Sequence, residues 1–190
     1  MSNKPFNKHC FQQAADDPGA WWLTAWKLKR AADELVLYDE IGQPVEREGS
    51  KDREKKFLWP VHRMLMGLAF ENLLKGSLIA QKKHLATNGT RLNKTFITHK
   101  LEKLLDLFDS GSFSASSDER KLLTQLEVYV VWMGRYPMPL SADAHDLPHY
   151  GSDEAQLEQK LWERLSNYLA DNGWKKDADG KHVSMKSFGT

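Results

Sequence analysis

The chain has 190 residues, 41% hydrophobic and 28% charged, with a formal net charge of +1. That length suits one domain with decorations and an ample core. Near-neutral charge excludes a nucleic-acid binder held by bulk attraction, though not a local basic patch. The single cysteine, Cys10, excludes an internal disulfide and reads as a free thiol in a reducing compartment, with no base tied to it for catalysis.

Residues 1–17 are polar and lack an apolar h-region, so they read as an extension rather than a signal peptide. No run reaches the ~18 apolar residues of a membrane span. The richest stretch, 64–80, is interrupted by Glu71, Asn72 and Lys75. The expectation is a cytoplasmic protein with no membrane partner.

Hydrophobic periodicity predicts five helices and almost no strand. The first covers about 18–38, opened by Pro18, with Trp21, Ala25, Leu28, Ala32 and Leu35 on one face. A polar loop fills 42–56. The second helix, about 57–84, is apolar around most of its circumference, the mark of a central helix or an oligomer face. Asn88-Gly89 marks a turn. The third helix, about 98–109, carries Leu101, Leu104, Leu105 and Phe108. Ser116 and Glu119 then offer a capping box to a fourth, about 118–135, which stops before Pro137. An irregular connection leads to the fifth, about 153–171, with Leu157, Leu161, Leu165 and Tyr168 inward. The fold class is therefore all-α, an up-and-down bundle over 18–171, followed by 172–190 as a small hairpin or a loose tail.

No phosphate-cradling glycine loop, nucleophile elbow or metal motif is present. "DADG" at 177–180 lacks the remaining calcium-loop ligands and reads as a turn. No cofactor or metal is implied.

Several residues stand out singly. Among the histidines, His62 reads as a core or cap residue and His145 falls in the irregular connection. His99 opens the third helix, where a neutral ring would donate or accept a hydrogen bond, or merely cap and pack. From Lys75 to Lys103 seven cations face one acid, Glu102. That segment reads either as a phosphate-binding strip or as a solvated surface compensated from elsewhere. Glu71 and Lys75 have the favourable acid-first i,i+4 order. If buried, they must be paired or functional. Arg135 reads as a helix-closing cap or as an anion holder.

Taken in order, "AWKLKRAADEL", "LAFENLLKGSLIA", "THKLEKLLDLF" and "LEVYVVWMGRYP" resemble the HEPN family of small helical-bundle domains over about residues 20–140. The matching residues are Ala32 and Leu35; Glu71, Leu74 and Lys75; Thr98, His99 and Leu101; and Arg135, Tyr136 and Pro137, the last group fitting the family's "ARYP" branch with Gly134 for alanine. The resemblance implies a helical bundle that is often a homodimer and acts around RNA or nucleotides. Many members are metal-independent ribonucleases of bacterial toxin–antitoxin and anti-phage systems, or partner a nucleotidyltransferase; others bind without catalysis. In the nucleases, an arginine and a histidine about four to six residues later act together across the dimer cleft, the histidine moving protons and the arginine stabilising the anionic phosphorane.

Here nine residues separate Arg135 from His145, and seven separate Arg91 from His99. The expectation is therefore a homodimeric, non-catalytic nucleotide- or RNA-binding protein using Arg135, Tyr136, His99, Lys75 and Glu71, with an antitoxin or nucleotidyltransferase as candidate partner. The alternative is a metal-independent ribonuclease using Arg135 with His99 or His145. A second alternative is a structural or protein-interaction module.

Overall fold

The computed structural model describes residues 8–41, 58–81, 83–84, 86–87, 91–135, 152–173, 175–176 and 182–183. The elements are α1 (Lys8–Ala15), α2 (Pro18–Ile41), α3 (Trp59–Ala80), β1 (Ala86–Thr87), β2 (Arg91–Leu92), a 3-10 turn (Lys94–Phe96), α4 (Leu101–Leu105), α5 (Ser117–Val128), a π turn (Tyr129–Met133), α6 (Ser152–Gly173), β3 (Lys175–Lys176) and β4 (His182–Val183). The fold is an all-α bundle. Among the described residues, no helix is long and apolar enough to cross a membrane.

α3 is the axis of the bundle, packing against α2, α4, α5, the π turn and α6. It buries Met66, Phe70, Leu73, Leu74 and Leu78 against Ala25 and Ala32 of α2, Leu101 and Leu104 of α4, Leu122, Leu123 and Leu126 of α5, and Leu161, Leu165 and Leu169 of α6. A helix apolar on most sides settles at the centre, because only there is its whole circumference removed from water.

Local chemistry sets the ends of the elements. The Asp17 carboxylate accepts from the Gly19 amide at 2.9 Å, with Pro18 in the first turn, so α2 starts there. Ser116 and Glu119 form the expected capping box at the start of α5, the hydroxyl accepting from the Glu119 amide and the carboxylate from the Ser116 amide.

The chain departs from the expected elements in three places, and at the C-terminus it decides between two alternatives. Residues 8–15 form a helix, tied down where the Trp21 indole donates to the Ala15 carbonyl at 2.8 Å. The third helix shrinks to Leu101–Leu105, because Lys100 is extended and its amide is turned onto the Thr98 hydroxyl at 3.0 Å. The fourth helix widens into the π turn, closed by the Gly134 amide on the Tyr129 carbonyl at 3.0 Å. Of hairpin and tail, the C-terminal segment takes the hairpin: β3 pairs antiparallel with β4, Lys175 opposite Val183. The expected turn at Asn88-Gly89 and the whole "DADG" stretch lie outside the described residues, as do the loop 42–56 and the connection 136–151.

An ion pair deep in the bundle joins α3 to α6. Arg63 is 1% exposed and donates to the Glu158 carboxylate. The guanidinium also lies 5.6 Å from the Trp59 ring centroid and 5.9 Å from that of Tyr129. Burial pushes the Glu158 carboxyl up, against the opposing pull of Arg63. Beside them His62, 7% exposed, stacks on Trp59 with ring centroids 5.1 Å apart, and its Nδ1 has no hydrogen-bond partner among the described residues. Its pKa is pushed down to about 4, first by burial, then by Arg63 and Lys29, with Asp33 opposing.

Two stability predictions follow from this cluster. Glu158→Ala leaves a buried, uncompensated guanidinium and lowers unfolding free energy by about 3–5 kcal/mol in urea titrations. Replacing both Arg63 and Glu158 by Met removes both charges and costs much less than that single change. His62 folds neutral, with a pKa below its unfolded value of 6.5. The unfolded chain therefore binds the extra proton between pH 6.5 and 4, and stability falls as pH falls through that window. At about 1.4 kcal/mol per pH unit the full loss approaches ~3 kcal/mol. His62→Leu should flatten that part of the pH–stability curve; an unchanged curve refutes the assignment.

Candidate functional site

Two of the singled-out residues sit one turn apart on α3. Glu71 and Lys75 are both buried, and Lys75 Nζ donates to Glu71 Oε1 at 2.6 Å. Lys75 Nζ also lies 5.7 Å from the Trp21 ring centroid on α2. The second Glu71 oxygen, Oε2, faces Nδ1 of His99 at 2.8 Å. A half-exposed imidazole thus closes a chain that begins with a buried ammonium and passes through a buried carboxylate. His99 belongs to the extended segment before α4, so it reaches α3 from the side and does not cap a helix.

The geometry fixes what the histidine can do. With Nδ1 held by the carboxylate, Nε2 is the nitrogen left for solvent or a ligand. In the neutral ring Nδ1–H donates to Glu71 and Nε2 accepts; in the imidazolium both nitrogens donate. Lys75 neutralises the charge of Glu71, so the acid orients the ring without leaving a net negative site beneath it.

His99 is set in a partly uncompensated basic strip. Lys83 pairs with Asp109 at 2.9 Å and Lys100 with Glu127 at 3.9 Å, and Lys75 is spent on Glu71. Arg91, Lys94 and Lys103 have no acidic partner among the described residues. Some cations of the 75–103 segment are thus compensated in space, as one of its two readings expects, and three exposed ones have no acidic partner among the described residues. The start of α4 is anchored by the Glu102 amide, which donates to Glu127 of α5 at 3.0 Å.

Arg135 is exposed and makes no ion pair among the described residues, so it is not the partner of Glu71. Its backbone position is nevertheless fixed. A Cβ on Gly134 would lie 2.4 Å from Cβ of Met64, so only glycine lets the chain approach α3 this closely. Met64 and Glu71 are seven residues apart on one face of α3, so the anchors of Arg135 and His99 stand about 10 Å apart along its axis. The fold joins Glu71, Lys75 and His99 directly and sets Arg135 farther along the same face. Tyr136 and His145 lie outside the described residues.

A groove of about 520 Å³ adjoins His99, lined by Lys94, Thr95, Ile97, Thr98, Lys103, Asp106 and Leu107. Sequence reasoning counted its lysines only as part of a charged stretch. The available sequence signal was the lone apolar pair Phe96-Ile97 among the polar residues from Asn93 to Lys100. Among the described residues, no group of three or more His, Cys, Asp and Glu side chains is placed to hold a metal ion.

Compared with known proteins, the chain matches no family model, no curated protein and no solved structure.

Proposed function

We propose that the chain is a HEPN-like protein that binds RNA or a nucleotide without cleaving it, as a homodimer of the kind the resemblance implies. The observation that carries this reading is the half-exposed His99 imidazole, held through Nδ1 by the buried Glu71–Lys75 pair, in the chain segment that also carries the exposed Arg91, Lys94 and Lys103. A phosphate oxygen meeting such a site gains a donor at Nε2 when the oriented imidazole is protonated, and cations without an acidic partner among the described residues. Arg135 supplies a further cation along the same face of α3. Binding is favoured over cleavage because, among the described residues, the His99 ring hydrogen-bonds to Glu71 and not to an arginine, and Arg135 is anchored about 10 Å farther along α3. In-line cleavage needs the arginine and the proton-moving group around one phosphate.

A second reading, a metal-independent ribonuclease, is supported by the same carboxylate–imidazole pair, which suits proton transfer at Nε2. It requires RNA cleavage that persists in EDTA and is lost in His99→Ala. The reading as a structural module is disfavoured by Arg135, whose charge closes onto no acid among the described residues.

In anisotropy titrations with labelled RNA, His99→Ala and Arg135→Ala should each weaken binding by about 10- to 100-fold, the worth of a lost charged contact. Unchanged affinity in both variants, with the wild-type fold retained by circular dichroism, refutes the proposal.

A further inference from the structure

The groove beside His99 has features that the His99–Glu71–Lys75 chain does not use. Its rim is held rigidly. Asn93 caps the 3-10 turn by accepting from the Thr95 amide at 3.1 Å, and Phe96 is buried beneath it. With Phe96 anchored, the next side chain turns outward, and Ile97 is 62% exposed, an isolated aliphatic surface amid polar neighbours. The Thr98 hydroxyl accepts from the Lys100 amide at 3.0 Å, so its own proton remains free to donate.

The charge balance of the groove is one-sided. Asp106 is its one acid, and Arg120 already holds that carboxylate at 2.8 Å. Lys94 and Lys103 have no acidic partner among the described residues. An incoming group thus meets two unspent ammonium ions, two threonine hydroxyls, and the apolar side chains of Ile97 and Leu107. That combination fits an anion joined to a flat apolar body. The volume falls in the range of single small-ligand sites and is far too small for a duplex.

We propose that this groove holds one nucleotide of a single-stranded RNA, its phosphate between Lys94 and Lys103 and its base against Ile97 and Leu107, with the strand continuing past His99. This rests on the RNA-binding reading and names the form of RNA and where it sits. Single strands are recognised in this manner, with cations on the backbone and side chains against unstacked bases, whereas duplex RNA is read across its wide minor groove.

The test uses the full chain and a short labelled RNA, single-stranded or annealed to its complement, with a nucleoside monophosphate as competitor. The single strand should bind at least tenfold more tightly than the duplex. Lys94→Ala with Lys103→Ala should weaken it tenfold or more and reduce the slope of log affinity against log salt by about 1.4, two phosphate contacts at ~0.7 each. Ile97→Ser, at an exposed position where folding is not at stake, should weaken binding several-fold and leave that slope unchanged, which a purely electrostatic surface would not do. Equal binding of duplex and single strand overturns the inference. So does full affinity in the double lysine variant or in Ile97→Ser; if His99→Ala still loses binding, the broader function stands and only the groove falls. If wild-type protein binds the monophosphate as tightly as the RNA, the strand assignment is wrong. If it binds no RNA, both readings fall together.

Discussion

The structure depends on one constraint: its central helix carries charges that cannot reach bulk water. α3 buries Arg63, Glu71 and Lys75 along with the apolar side chains that make it the axis of the bundle. A buried charge is tolerable only when paired and hydrogen-bonded. The chain meets that requirement in two ways. Arg63 is answered from α6 by Glu158 and boxed by Trp59 and Tyr129, all within the protein. Glu71 is answered by Lys75 and then by His99, which is half-exposed. The first arrangement is closed and ties helices together. The second opens at the surface, and that difference separates a structural clasp from a candidate site.

The same helix also sets the spacing of the candidate residues. A Cβ on Gly67 would lie 2.4 Å from Val130 Cγ2, and one on Gly134 equally close to Met64 Cβ. Both glycines let the α5 end and its π turn lie tightly against α3, which holds the Arg135 backbone in place while its side chain stays exposed. The π turn matters here because its extra residue per turn changes the direction in which the following residues leave the helix. Arg135 and His99 thus flank one face of α3 from two different elements, though neither their sequence separation nor a motif spacing brings them there.

Much of the architecture was legible. α2, α3 and α6 came out of the 3.6-residue periodicity within a few residues of their ends, and the capping box at Ser116 marked the start of α5. The misses have physical causes. α1 is only eight residues long, so its short apolar stripe of Phe11, Ala14 and Ala15 is too brief to stand out in a polar stretch. The third helix was overextended because Leu101, Leu104 and Phe108 keep a helical rhythm even where Asp106 ends the regular helix. The π turn was invisible because a period-3.6 reading has no place for it. At the site, the Glu71–Lys75 pair was readable from i,i+4 spacing, and burial settled that it is paired. Its link to His99, 28 residues away, was not readable, because it depends on how the segment before α4 folds back. The Arg63–Glu158 pair, 95 residues apart, was missed for the same reason, although an arginine in a helix apolar on most sides is itself a sign that a distant acid answers it.

Net charge conceals the part of the electrostatics that bears on function. At +1 the whole chain exerts little long-range pull on a polyanion. Its cations differ in whether the fold has already spent them. Lys75, Lys83 and Arg120 are committed to Glu71, Asp109 and Asp106. Lys94 and Lys103 are not, and with Ile97, the one exposed isoleucine among the described residues, they line a groove whose Thr98 precedes His99 in the chain. Committed cations contribute to stability and are screened from any ligand by their partners. Uncommitted ones clustered around an apolar surface keep the hydration they would lose on binding, and release counterions when a phosphate replaces them. With so small a net charge, any pull this chain exerts on an anion comes from the local placement of its cations rather than from total charge, and is therefore short-ranged.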